Sequence, residues 1–437
     1  MSHHDEILEI PAFRLNGVPK AAGTAAAMLV LFGLIALIAA FVTDATRAWH
    51  AYLVNWLYFT SVCAGATMFS AVVVMARGLW SQTIRRISLS FVSFLPVSFV
   101  LLLPILFVPD AIFPWRHEQL PKGKELWLNA PFVAGRNVVL FGAFVVVALL
   151  FAYWCVRPDL SGIRSEGTDK QRRFYDRLTE NWRGQEQEEV RASHKVNTIA
   201  PILALFYAFS LSLIAFDFVM SLEHSWRSTL LGGYFFMSSL LGGVAGTAVL
   251  TALYRKGLGL EDYISEDSVH DLGKLHFGFN IFWAYLFWAQ FLVIWYGILT
   301  HEQSFIIRRF TAPYGGIAIA VLFCLFVIPF FGLLGVKPKR TPAILATFSS
   351  IVLLGLWLER YLLVYPSYYH QPSYVLPGWQ EVGIGFFFAG ILISCLSFFG
   401  SRFPILQMWR TLPELELLGA PGQRPMEQVT KEGLASG

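Results

Sequence analysis

The sequence predicts an all-α polytopic membrane protein of about ten transmembrane helices, arranged as two four-helix bundles plus two flanking helices. Hydrophobic residues make up 56% of the 437 and charged residues only 14%, against roughly a quarter charged in soluble domains. Mean hydropathy is +0.56. Long apolar runs recur from Ala21 to Gly400, each near the roughly 20 residues a helix needs to cross about 30 Å of hydrocarbon. The runs are continuous rather than alternating, and an open sheet would leave backbone groups unpaired in lipid, so helices rather than strands are expected.

Hydropathy places the spans at approximately 22–42, 52–76, 88–109, 131–155, 197–219, 230–253, 275–299, 312–335, 342–364 and 379–400. The first run follows Asp5, Glu6 and Glu9 and is too long for a cleaved signal core, so it is read as a retained span after a segment 1–21. Prolines 96 and 104 in the third span and Pro329 in the eighth are expected to kink their helices. The fourth and fifth spans are separated by a hydrophilic insertion, 156–196, whose QRRFYDRLTENW reads as a surface helix of mixed charge. In the sixth, LLGGYFF and LLGGVAG suggest close helix packing through small residues. Grouping the spans gives bundles at about 52–219 and 230–364, with the first and tenth spans outside them. The tail, 401–437, is rich in Pro, Gly and Glu and is expected to have little structure of its own.

An even number of spans puts both termini on one side. Of the 33 Lys and Arg residues, 24 fall in the termini and the loops on that side and seven in the opposite loops, leaving Arg136 and Arg360 within spans. The asymmetry predicts cytoplasmic termini and a multi-pass protein of the bacterial cytoplasmic (inner) membrane. The basic residues are spread among loops, so no nucleic-acid partner is expected. The cysteines, 63, 155, 324 and 395, are too scattered for a C-x-x-C pair. No C-x-x-C-H, Walker A loop, G-x-S-x-G elbow or metal-spaced His pair at i, i+4 occurs. With His276 the one well-placed axial ligand, haem ligation is disfavoured and no metal site is expected.

Ionisable groups within hydrocarbon are costly, so each is a candidate for function. They are Arg136, Asp217, His276, Glu359 and Arg360, with Asp44, His50, Glu223, His224, His301, Glu302 and Glu381 at span edges. Arg136, Asp217, Glu359 and Arg360 are expected within about two turns of the same membrane face. Converged, they would form a proton-accepting site. The alternative is that Glu359 and Arg360, being adjacent, point different ways and each pairs with a neighbour. In the seventh span His276, Asn280 and Gln290 share one face with Trp283 and Phe287 between them. That stripe either orders water into a proton half-channel or serves as an interhelical hydrogen-bonding set. His270, Asp271 and Lys274 would feed such a path or mark the interface. Asp217, His276, Glu359, Arg360, Arg136, Asn280, Glu223 and His224 are therefore the proton-path candidates.

Three stretches, DFVMSLEHSWRSTLLGGYFFMSSLLGG (Asp217 to Gly243), HDLGKLHFGFNIFWAYLFWAQFLVIWYG (His270 to Gly297) and LERYLLVYPS (Leu358 to Ser367), resemble the F subunit of alternative complex III. That is a bacterial quinol:cytochrome c oxidoreductase whose membrane subunits belong to the polysulfide reductase-like (NrfD-type) class. The resemblance covers roughly Ala21 to Gly400. It implies a ten-span subunit beside a homologous NrfD-type membrane subunit, an iron–sulfur subunit and c-type haem subunits, in contact with lipids and the quinone pool. Haem and iron–sulfur clusters would then belong to partners, with quinone or menaquinone the small-molecule cofactor. The F subunit is commonly labelled quinone-binding, and a part in proton translocation is proposed for it. Competing readings are a quinol-oxidising anchor of a polysulfide reductase-like complex and a secondary transporter. A transporter would use discontinuous helices at the bilayer midplane.

Overall fold

A computed structural model describes residue 15 and residues 20–120, 123–163, 169–223, 226–298, 300–369 and 377–412. Most of the segment 1–21, His224 and the tail beyond Leu412 lie outside these residues, as do the side chains of His301 and Glu302. Everything described is helix, turn or loop, with no strand among the described residues. Ten helices are long and apolar enough to cross a membrane: α1 (Lys20–Thr43), α2 (Ala45–Met75), α3 (Leu79–Phe107), α4 (Ala130–Ile163), α5 (Gln185–Leu222), α6 (Leu230–Gly257), α7 (Glu266–Gly297), α8 (Gly315–Gly332), α9 (Pro342–Tyr368) and α10 (Trp379–Arg402).

The helices overrun the apolar windows because capping, not hydropathy, decides where a helix starts. Asp44 caps α2, its carboxylate accepting from the Arg47 N–H, so this helix begins at Ala45 rather than near 52. Ser265 does the same for α7, which begins at Glu266 rather than near 275. In α3 a 3₁₀ stretch, Ser90–Phe94, precedes Pro96, so that proline sits in the first turn of a new α-helical segment where its missing N–H costs little. In α8 a π-helical turn, Phe323–Val327, precedes Pro329. The wider turn absorbs the carbonyl clash the proline would cause.

α2, α3, α4 and α5 pack around one another, as do α6, α7, α8 and α9, and α1 pairs with α10 against α2. The two groups of four meet where α2 crosses α6. There a Cβ on Gly65 would stand 1.8 Å from the Ser239 carbonyl oxygen, and one on Gly243 would stand 2.0 Å from the Ala66 nitrogen. Backbone lies against backbone, the small-residue mode by which helices associate in lipid. The outward faces are apolar, with Leu31, Phe32, Ile35 and Ile38 of α1 all more than half exposed. Leu15 donates its N–H to the Gly400 carbonyl at 3.0 Å, so α1 begins and α10 ends on one face. We call this the terminal face and its opposite the distal face.

The start of the tail departs from expectation. Ile405, Leu406, Gln407, Trp409 and Thr411 are buried against the terminal face. Trp409 donates its indole N–H to the Cys155 carbonyl, which also accepts from Arg86, and Gln407 accepts from Arg85. Trp409 and Arg86 thus share the Cys155 carbonyl of α4, something composition alone does not reveal. The insertion is tied to the same layer: Tyr175 donates to the Arg402 carbonyl, Arg86 pairs with Asp159 and Arg157 with Glu188. Trp409→Phe removes one buried hydrogen bond with little change of shape. Thermal unfolding of the purified protein should show a loss of about 1 kcal/mol.

Candidate functional site

Four carboxylates lie separately toward the distal ends of the helices, and each is met by its own arginine. Asp217 of α5 accepts from Nε and Nη2 of Arg136 on α4 and, at 2.6 Å, from the Asn137 amide. The Arg136 guanidinium lies 3.8 Å above the Trp127 ring and its third donor reaches the Trp127 carbonyl. This is a clamp between α4 and α5, with Asp217 fully buried. Glu223, just past α5, accepts two bonds from Arg308 at 2.9 and 2.8 Å. Arg308 lies on the short helix Thr300–Phe310. Glu381, in the first turn of α10, accepts from Nε and Nη2 of Arg47, from the Tyr365 hydroxyl and from the Gly378 N–H. His50 beside it stacks on Tyr368 at 3.5 Å and faces the Tyr369 hydroxyl at 3.1 Å.

The fourth pair corrects the expectation that Glu359 and Arg360 point apart. Arg360 donates directly to its chain neighbour Glu359. Glu359 also accepts from the Tyr234 hydroxyl of α6 and, at 2.8 Å, from the Trp283 indole of α7. Arg360 turns its other nitrogen to Ser238 at 2.9 Å and lies 4.1 Å over the Phe235 ring. Three helices of the second bundle therefore meet at one carboxylate. Because α9 continues to Tyr368, Glu359 sits about two and a half turns from the helix end, deeper than the predicted two. The four groups do not converge: no hydrogen bond or ion pair among the described residues joins Asp217–Arg136 to Glu359–Arg360.

Glu359 also lines a cavity of about 60 Å³ with Tyr234, Gln290, Phe305 and Arg309. Its size suffices for a few water molecules. Gln290 borders as well a larger cavity of about 590 Å³, formed at the distal ends of α5, α6 and α7. Arg309 is buried, donating to the carbonyls of Phe305 and Leu363 and to Ser367, while its Nε has no protein partner.

Toward the terminal face, the predicted stripe on α7 is buried at His276, Asn280 and Trp283, the first two 0% exposed, and half-buried at Phe287 and Gln290. The Asn280 amide donates to His276 Nδ1 at 2.9 Å and to its carbonyl at 2.8 Å. Nδ1 is thus the accepting nitrogen and Nε2 carries the ring proton in this arrangement. Neither His276 Nε2 nor Asn280 Oδ1 has a partner among the described residues, and the same holds for the Ser349 hydroxyl on α9. At a rise of 1.5 Å per residue, these groups lie about 5, 10 and 15 Å below the Glu359 level, in the order Asn280, His276, Ser349. Asp271 and Lys274 form an exposed ion pair at 2.5 Å.

Sequence reading named the carboxylates and, for Asp217 and Glu359, also the arginines that meet them, Arg136 and Arg360, but not the partners of Glu223 and Glu381. Arg47, Arg308 and Arg309 entered only the loop charge count, and the tyrosine face Tyr361–Tyr365–Tyr368 was visible as i, i+4, i+7 spacing. His224 lies outside the described residues. Neither the protein-family models nor the curated proteins yield a match to this chain.

Proposed function

We propose that this chain is an integral membrane subunit of a quinol:electron-acceptor oxidoreductase of the alternative complex III kind, and that its second bundle moves protons while partner subunits carry electrons. The observation that carries the proton reading is the Glu359 site. A buried carboxylate with hydroxyl, indole and guanidinium donors borders a cavity large enough for water. Below it, Asn280, His276 and Ser349 each hold a buried polar atom without a protein partner. Buried polar atoms of that kind are ordinarily satisfied by ordered water, and a string of waters and titratable groups is what proton transfer through hydrocarbon needs. The electron-transfer context rests on the resemblance of the three quoted stretches. Asp217, Glu223 and Glu381 have structural roles in this reading, as two-point clamps between neighbouring elements.

The test is made on the complex purified from native membranes and reconstituted in vesicles. Glu359→Gln and His276→Ala should each lower protons moved per electron at least two-fold while quinol-driven electron transfer per assembled complex stays within two-fold. Unchanged stoichiometry in both variants would overturn the proton reading. Purification of the chain without any haem- or iron–sulfur-bearing partner would overturn the assignment to such a complex.

A further inference from the structure

The 590 Å³ cavity at the distal ends of α5, α6 and α7 has the size of a small-molecule site and a distinctive chemistry. Its walls are apolar: Leu128, Phe216, Leu230, Val293 and Ile294. At its rim stand two cations, Lys124 and Arg227, and no Asp or Glu among the described residues lines it. Arg227 is exposed and forms no ion pair among the described residues. Burial first, and the like charge of Arg227 second, pull the Lys124 ammonium below its ordinary value. The two together give the rim a positive field that draws an anion.

A second observation is independent of charge. Trp226 also lines the cavity, is 1% exposed and stacks on Phe305 at 3.5 Å, yet its Nε1–H has no acceptor among the described residues. A buried indole N–H without a partner is uncommon, because tryptophan is normally placed so that this donor is satisfied. The depth is also informative. Trp127, Trp295 and Tyr296 beside this end of the bundle are all about half exposed or more, as aromatic side chains are at the boundary between hydrocarbon and water.

From cationic rim, greasy walls, an unpartnered donor and interfacial depth, we infer that this cavity holds an anionic phospholipid. Its phosphodiester sits between Lys124 and Arg227, a polar oxygen takes the Trp226 Nε1–H, and its acyl chains run along Phe216 and Val293 into the bilayer. The recognition follows the usual physics of basic pockets between membrane helices. It is independent of the proton reading, since it uses neither Glu359 nor His276.

The experiment is native mass spectrometry of the purified protein, delipidated and then titrated with dioleoylphosphatidylglycerol, dioleoylphosphatidylcholine, glycerol phosphate or decylubiquinone. Phosphatidylglycerol should be retained at least ten-fold more tightly than phosphatidylcholine. Lys124→Gln/Arg227→Gln should abolish that preference, and Trp226→Phe, which keeps the stacking on Phe305, should weaken phosphatidylglycerol by about five-fold. Each variant's unfolding temperature without lipid is measured alongside, so that a folding defect is recognised; a misfolded variant is replaced by the single Arg227→Gln change on the exposed rim. Equal retention of the two lipids by the wild type, or the same preference in wild type and rim variant, overturns the inference. Glycerol phosphate binding as tightly as the lipid overturns the part assigned to the acyl chains. Decylubiquinone displacing phosphatidylglycerol with no dependence on the rim charges would make this a quinone site instead.

Discussion

Glu359→Ala is expected to lose about 3–5 kcal/mol of stability, most of the margin a membrane bundle has. The substitution leaves Arg360, 1% exposed, without its counter-charge. It also removes the acceptor of both the Tyr234 hydroxyl and the Trp283 indole. Three stranded polar groups in a low-dielectric interior are costlier than the lost ion pair itself. The yield of folded protein and its unfolding temperature in detergent should both fall steeply. Glu359→Gln/Arg360→Met removes both charges and keeps an acceptor for the tyrosine and tryptophan, so it should recover most of the loss. No recovery in the double variant would show that the loss does not come from the stranded Arg360 charge and the two orphaned donors. A stable double variant with no proton movement would then separate the titratable role of this carboxylate from its structural one.

The second large effect is expected at a residue with no side chain. Gly243→Ala places a methyl 2.0 Å from the Ala66 nitrogen and 2.1 Å from the Gly65 carbonyl carbon. Those neighbours are backbone atoms of α2 and have no rotamer by which to retreat, so α2 and α6 must separate along their length. The cost should reach or pass the upper end of the about 1–3 kcal/mol typical of overpacking. Gly278→Ala on α7 is the control, because nothing lies within 4 Å of its added methyl. Relief of glycine's backbone entropy should make that change neutral or stabilising by up to about 1 kcal/mol. Unfolding of the two variants under identical detergent conditions compares them directly. Similar behaviour would remove the crossing from the account of what holds the halves together.

Hydrophobic run length alone revealed all ten helices, because a bilayer imposes one length scale on every span. Their ends were less legible. Asp44 and Ser265 prolong α2 and α7 by capping, which average hydropathy does not register. Burial cost singled out Asp217, Glu359 and His276 as residues to watch, since an ionisable group among apolar neighbours is visible in one dimension. Pairing is not. Glu381 finds its arginine 334 positions away and Asp217 finds Arg136 at 81, separations for which a single sequence has no periodic signal. The Glu359–Arg360 contact was hidden for the opposite reason. Adjacent residues leave a helix about 100° apart, yet two long side chains can bend back toward each other when a tyrosine, a tryptophan and two serines supply the remaining bonds.

The backbone contact at Gly65 and Gly243 also bears on what kinds of transport this protein could perform. Carriers that present one site alternately to each side tilt one repeat against another, and tilting needs a seam that can slide. Here the seam is two main chains wedged together, with side chains too small to act as a bearing. Rocking of that kind would here require these two main chains first to part.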